Sequence, residues 1–398
     1  MWNRQFVFLS LILLGEGIVT SPIQLLFPVY VVHALGESAR YAAMLRALPI
    51  LLGGVFALVG GVFSDRVGRK QTLILGMTGA LVVGGVFITQ QPLLILGILC
   101  YQGIASGFRT AGGQSYLISS VDASRLGLAT AIYFLCMTFG GAIGSAIAGE
   151  LIDRFGYRVV GVGAIPLIGL LITIAILFLP SLPKSIASHH QESFAQTVKG
   201  YRKILRHRGM RLLLAIRFLP TYYWGTVSLL IPILVYRSSG VKMAAYYGTL
   251  SLLFAALCKI LTGCICDAIG HRLPAFVANC LIALSAIGIA FSVNSTVGLY
   301  VFGILGAGVA WSLSTTMPRF INEFCDAEEK GRGVGITHLA WSVGLLFGQL
   351  ISGTLESISV SLPFFVAAGL VVISAGLALA LWLGKDVDAV PTLNADVS

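Results

Sequence analysis

Four ionisable residues fall inside stretches of the chain that are otherwise apolar: Glu16 in LLGEGIV, Arg109 in SGFRTAGGQ, Arg217 just ahead of FLPTYYWGT, and Lys259. A carboxyl among apolar side chains can take up or release a proton, because burial favours its neutral form and a nearby cation its ionised form. Glu16 stands twelve residues beyond Arg4, and Arg109 ten residues before the end of its own apolar run. At a helical rise of about 1.5 Å per residue these positions lie roughly 18 and 15 Å deep, so their depths match. Either charge alone in lipid costs about 2.5–3.5 kcal/mol, and both are therefore expected to face a central cavity, where they can pair. Two readings stay open: Glu16 as a proton site tuned by Arg109, or a static ion pair that fixes packing. Lys259 and Arg217 add positive charge, which in a cavity with one carboxylate attracts an anionic or zwitterionic cargo. Arg217 is barely two turns into its run and can instead snorkel to the headgroups.

Other chemistries find no support in the residue types. His189 and His190 are adjacent in a polar stretch without matching Cys or acidic partners, so no zinc site is expected there. No G-x-x-x-x-G-K-[ST] loop occurs, which argues against an ATP-driven pump within this chain. No converging nucleophile and base appear, so an enzyme, a cofactor or a bound metal is not expected. The cysteines (Cys100, Cys136, Cys258, Cys264, Cys266, Cys280 and Cys325) lie almost entirely in apolar runs or at their ends and read as unpaired apolar fillers. Tyr222, Tyr223, Trp224, Trp311 and Trp341 can line a pathway, but aromatics in such runs more often pack or anchor at the interface. His338 reads more readily as a hydrogen bond to a neighbouring helix than as a proton relay.

The elements that must position these side chains follow from composition. Hydrophobic residues make up 57% of the 398 and charged residues 11%, against roughly a quarter charged in a soluble domain. Runs long enough to cross a hydrocarbon core of about 30 Å recur along the whole length. They predict twelve spans, at 5–33, 41–63, 71–90, 93–119, 126–149, 159–180, 212–236, 243–266, 273–293, 296–321, 333–354 and 361–384. The first run is too long for a signal sequence and lacks a small-residue cleavage site, and Pro22 and Pro28 within it are read as kinks. The net charge of +10 is spread over loops rather than pooled on a nucleic-acid surface. Bases crowd alternate loops (Arg4, Arg66, Arg69, Lys70, Arg125, Lys199, Arg202, Lys203, Arg206, Arg272, Lys330, Lys385), while the opposite side holds Arg40, Arg46, Arg154, Arg158, Arg237 and Lys242. The positive-inside rule then puts both termini in the cytoplasm of a cell whose plasma (inner) membrane holds the protein.

The polar stretch 180–210 divides the spans six and six. It predicts an N-terminal bundle over 1–180, a linker over 181–211, a C-terminal bundle over 212–384 and a tail over 385–398. Phe194, Val198, Tyr201 and Leu205 recur at helical spacing in the linker, which predicts an amphipathic helix on an anionic inner leaflet, with a solvated linker as the alternative. The halves echo each other: SVDASRLGLAT is similar to FCDAEEKGRGVGIT, and GGAIG ending at Gly144 to GLLFG ending at Gly348, as duplicated units would be.

In the loop after span two, GGVFSDRVGRK carries Gly61, Asp65, Arg66, Gly68, Arg69 and Lys70; a degenerate copy after span eight keeps Gly263, Asp267, Gly270 and Arg272. This pair of loops in a twelve-span chain resembles the signature loops of the major facilitator superfamily. The resemblance covers nearly the whole chain and implies an all-α fold of two pseudo-symmetric six-helix bundles. It implies that Asp65, Arg66 and Arg69 latch the halves together in the outward-open carrier, with a weaker latch in the second copy. Gly61 and Gly68 suit close helix approach and a tight turn. Plain anchoring of the loop by its bases is the alternative reading. An acid on span one with an arginine on span four resembles proton-driven drug and lipid exporters of that superfamily. GGAIGSAIAGE in span five is similar to its antiporter motif but has Ser145 for the proline and Ala148 for a glycine, a departure that leaves antiport open beside plain helix packing.

The expectation is a monomeric secondary transporter working by alternating access. Proton-coupled export of an amphipathic drug, metabolite or lipid comes first, and uptake or exchange of an organic anion second. A membrane sensor that binds cargo without moving it is the reading from another class.

Overall fold

The computed structural model describes residues 4–121, 126–181, 194–325 and 330–384, including all their side chains except those of Val62, Asp65 and residues 126–128, 194–199 and 330–332. Among these, the regular elements are all helical: α1 (Arg4–His33), α2 (Ala39–Arg66), α3 (Arg69–Val83, extended by a 3₁₀ turn Gly84–Phe87), α4 (Pro92–Ser120), α5 (Leu126–Phe155) and α6 (Tyr157–Phe178) form the first bundle. A short α7 (Phe194–Arg206) leads to α8 (Arg208–Ile269), α9 (Arg272–Phe291), α10 (Thr296–Phe324), α11 (Lys330–Leu355) and α12 (Leu362–Leu383).

Eleven of these helices are long and apolar enough to cross a membrane. One of them, α8, has 62 residues, which at about 1.5 Å per residue is some three times the hydrocarbon thickness. It makes two crossings, folding back at Gly240, where φ is 85° and ψ 173°. Only glycine takes that backbone conformation without strain, so a single residue suffices to join two antiparallel limbs. The predicted spans seven and eight are these limbs, and the twelve predicted crossings are all present.

Pairing within the halves follows one plan. In the first, α1 packs on α5, α2 on α4 and α3 on α6; in the second, the first limb of α8 packs on α11, its second limb on α10, and α9 on α12. The repeated glycines explain the correspondence. Gly140 and Gly144 on α5 lie against the carbonyls of Leu14 and Ile18 on α1, while Gly344 and Gly348 on α11 lie against those of Phe218 and Tyr222 on α8. Lacking side chains, they let two backbones meet in a medium where packing, and not water, holds helices together. Pro22 deprives the Ile18 carbonyl of its usual donor, and Gly144 is the neighbour that covers it. The helix α1 runs unbroken through Pro22 and Pro28.

The halves meet along α1 with α8, α2 with α11, and α5 with α8. Many of these contacts cluster at the end of the bundle away from the termini: Leu25 against Gly248, the His33 and Tyr236 rings stacked at 4.7 Å, Gly149 against Ala245, and Gly353 against Arg40. The linker helix forms as expected; among its described side chains (200–206) the buried one is Ile204, and Tyr201 reaches Gly335 on α11, so this helix docks on the second bundle while Leu205 stays exposed, and the side chains of Phe194 and Val198 lie outside the described residues. Cys100, Cys136, Cys258, Cys264, Cys266 and Cys280 are free thiols.

Candidate functional site

On α1, Glu16 is 3% exposed, and Arg109 reaches it from α4 with Nε 2.5 Å from Oε1. The expected pair therefore exists, inside the first bundle. The contact is close, and Glu16 Oε2 is buried without a hydrogen-bond partner. Arg109 Nη2 lies 3.3 Å from Met137 Sδ on α5, and Tyr133, one turn away on the same helix, is close enough to feel both charges. Sequence reasoning missed Tyr133 because a tyrosine in an apolar run is ordinary. The backbone of Arg109 is pressed against Gly76 of α3, which fixes where its side chain begins.

The second bundle supplies the facing groups. Arg217 turns inward and donates from Nη1 to Ser314 Oγ on α10 at 3.2 Å, so it does not snorkel. Together with Thr221, Trp224, Trp311, Ser314 and Trp341 it lines a narrow cleft of about 20 Å³, roughly the room of one water, part of it open to solvent. Trp224 and Trp311 meet edge to face at 5.5 Å. The Lys259 ammonium lies 4.4 Å above the Trp311 ring and 3.5 Å from Thr138 Oγ1 of α5 in the opposite bundle. Packing or interface anchoring was the commoner expectation for these tryptophans, and the structure brings all three to the cleft instead. Tyr222 and Tyr223 are buried in packing, the latter sharing a hydrogen bond with Ser285. His338 stacks on Trp341 of its own helix at 5.4 Å, in place of the expected bond to a neighbour.

Counted from the helix ends nearest the termini, Glu16, Arg109, Arg217, Lys259 and Trp311 all lie roughly 13–20 Å along their helices, so they share one layer.

The signature loops show a different pattern. Gly68 and Gly270 both have positive φ, at 132° and 83°, as a tight turn requires. Gly61 differs from expectation: a side chain there would meet open space, and it is Gly60 that lies against Gly107 and Phe108 of α4. The helix turns its neighbour inward, so close approach belongs to Gly60. Arg66 is exposed, Arg69 is half-buried, and Lys70 donates to the Ile176 carbonyl of α6 at 2.7 Å. Asp65 contributes its backbone to α2, and its side chain lies outside the described residues. In the second copy, Asp267 pairs with Arg319 of α10. Arg272 pairs with Glu323 and also donates to the carbonyls of Leu381 and Gly384, while His271 Nε2 lies 2.7 Å from Glu323. The contacts of Lys70, Asp267 and Arg272 all stay within their own half.

A cross-half clamp barely signalled by residue type sits at the far end. Glu150 of α5 accepts from Tyr246 at 2.6 Å and pairs with Lys242 at 2.7 Å, both on the second limb of α8. Opposite charges at the ends of spans five and eight away from the termini were the available signal. Arg46, expected in an outer segment, lies seven residues inside α2 with Nη1 buried and without a partner.

Comparison with known proteins agrees with this architecture. The family model described as Major Facilitator Superfamily matches residues 9–318 and 248–396. A gallate transporter of Pseudomonas putida is 24% identical over 373 residues, covering 81% of this chain and 79% of that protein. A class C tetracycline resistance protein of Escherichia coli is 28% identical over 130 residues, about a third (32%) of each chain. Among solved structures, the nucleoside transporter NupG superposes with a TM-score of 0.80 at 13% identity, covering 96% of this chain and all (100%) of that one. A POT family transporter in complex with 5-aminolevulinic acid gives 0.77 at 14%, covering 96% of both. Duplicated bundles, paired signature loops and a family match across most of the sequence lead to one conclusion: this chain belongs to the Major Facilitator Superfamily.

Proposed function

We propose that this transporter works by alternating access and couples the movement of a small organic molecule to protons through Glu16. The observation that carries this reading is the buried Glu16–Arg109 pair, whose second carboxylate oxygen is unpartnered and can hold a proton. Protonation neutralises the acid, weakens its hold on Arg109 and leaves the arginine available to cargo. A single chain encloses the cleft, so a monomer suffices, and the bases crowding alternate loops support a plasma-membrane protein with cytoplasmic termini. Export of an amphipathic drug, metabolite or lipid is the first reading of the cargo, in keeping with the partial similarity to a tetracycline resistance protein. Uptake or exchange of an organic anion is the second. Its support is that neither Arg217 nor Lys259 touches a carboxylate among the described residues, together with the longer match to a gallate transporter.

The test is flux into vesicles carrying an imposed pH gradient, with ethidium as the amphipathic probe and benzoate as the anion. The wild type is expected to move at least one of them in a gradient-dependent way, and Glu16→Gln to lose roughly tenfold or more of that flux. Full gradient-driven flux in the variant overturns the proton role. A probe that binds but never crosses identifies a sensor.

A further inference from the structure

We infer that Lys259 is the positioning residue through which the second half senses the protonation state of Glu16. Lys259 rests on α5 of the first half, one residue from where Arg109 rests, and the two cations repel each other once Glu16 takes up a proton. This deepens the proton-coupled reading above and rests on it.

The contacts form a chain from the acid to the second half. Arg109 Nη2 lies 3.3 Å from Met137 Sδ, and the Met137 carbonyl faces Gly17 of α1, the residue after Glu16. The next residue of α5, Thr138, donates its hydroxyl to the Phe134 carbonyl at 2.8 Å. Its Oγ1 therefore has lone pairs to offer, and Lys259 Nζ on the second limb of α8 donates to it at 3.5 Å. The Trp311 ring of α10 backs the ammonium at 4.4 Å. Because Met137 and Thr138 are consecutive, the guanidinium and the ammonium are held by one turn of α5, apart by on the order of a helix width, about 10–12 Å. The same seam continues toward the end away from the termini, where Thr249 donates to the Ala142 carbonyl at 3.0 Å and Glu150 engages Tyr246 and Lys242. The seam that joins α5 to the second half thus begins at the level of the proton site.

Electrostatics supplies the switch. With Glu16 ionised, Arg109 belongs to a neutral pair whose field falls off quickly. With Glu16 protonated, Arg109 acts on Lys259 as a bare like charge. At that separation and an effective dielectric of about 20, the repulsion amounts to roughly a tenfold bias against keeping Lys259 on Thr138. No carboxylate touches Lys259 among the described residues to cancel it. The acids on its own and the neighbouring helices lie toward their ends: Glu150 and Asp153 on α5, Asp267 on α8 and Glu323 on α10. Around Glu16, Arg109 of α4 and Tyr133 of α5 are the titratable groups brought close. Arg217, at the same level on α8, is turned to Ser314. Arg46 of α2, Lys70 of α3 and Arg158 of α6 lie toward the ends of their helices.

Pulsed electron paramagnetic resonance on the full-length protein in nanodiscs tests this without cargo. Nitroxides at Phe155→Cys and Asn294→Cys, both exposed and on opposite halves at the end away from the termini, report the separation of the seam in a background with the native cysteines replaced. The mean distance is expected to lengthen between about pH 8 and about pH 5, as Glu16 gains its proton. Glu16→Gln should hold the longer distance at both pH values. Lys259→Met removes a lone cation from an apolar layer and is expected to fold; it should shrink the shift about threefold or more, while Lys259→Arg keeps it. Thr138→Val, which removes the acceptor, should shrink it too. No lengthening in the parent protein, or an undiminished shift in Lys259→Met, overturns the inference. So does a pH shift that survives Glu16→Gln, which would belong to Glu150. If Lys259→Met cannot be purified, an undiminished shift in Thr138→Val decides against it. A shift that needs Glu16 and not Lys259 leaves the proton reading standing, and flux indifferent to Glu16→Gln removes that reading whatever the distances show.

Discussion

At the scale of single residues, the informative contrast is between a charge that is paired and one that is not. Arg109, 13% exposed, neutralises Glu16, which is 3% exposed. Removing one partner strands the other, and a buried ion left uncompensated costs about 3–5 kcal/mol. Arg109→Gln should therefore lower the thermal stability of the purified protein clearly. The double variant Glu16→Gln/Arg109→Gln should recover much of that loss in the same thermal assay while still lacking gradient-driven flux. Recovery of stability without recovery of coupling separates a proton site from a packing strut. If the double variant transports like the wild type, the pair is structural. Glu16 and Arg109 were legible in the sequence because an ion in an apolar run is rare. Tyr133 was not, since a tyrosine in an apolar run is ordinary, and Trp311 was only one of five aromatic candidates.

Helix seams show which glycines matter. A side chain at Gly144 would fall on the Ile18 carbonyl, and backbone cannot step aside as a flexible side chain can. Gly144→Leu should force α1 and α5 apart at a cost of about 1–3 kcal/mol or more, displacing Glu16 at the same time. Lower yield of monodisperse protein and weaker transport are the expected readouts. Gly61→Ala meets open space and should leave stability unchanged or slightly raised, because alanine is the better helix former. If Gly61→Ala nevertheless abolishes flux at normal stability, then close approach at Gly61 belongs to a conformation other than this one. The spacing GGAIG and its echo GLLFG were visible in the sequence. That they are the docking seams of α1 with α5 and of α8 with α11 required the packed helices.

Across the whole molecule, the two bundles close on each other at the end away from the termini, where Glu150 binds Lys242 and Tyr246 and where Gly149 faces Ala245. Alternating access requires this seam to part. Cysteines at Gly149 and Ala245, placed in a background with the native cysteines replaced, are close enough to form a disulfide. Oxidation should arrest transport and a reductant should restore it; flux that survives cross-linking would mean that the seam need not open. The amino-acid order by itself determined the membrane class, the number of crossings and the duplicated halves, because twenty-residue apolar runs, alternating basic loops and repeated motifs are local properties that need no partner. It also singled out the four deep charges, since their cost in lipid is a property of each alone. Only the tertiary structure decided which charges meet, that Arg217 turns inward, that Gly60 and not Gly61 is the packing residue, and that three tryptophans from three helices share a cleft. Those facts depend on helix rotation, and rotation is set by contacts between residues far apart in the chain.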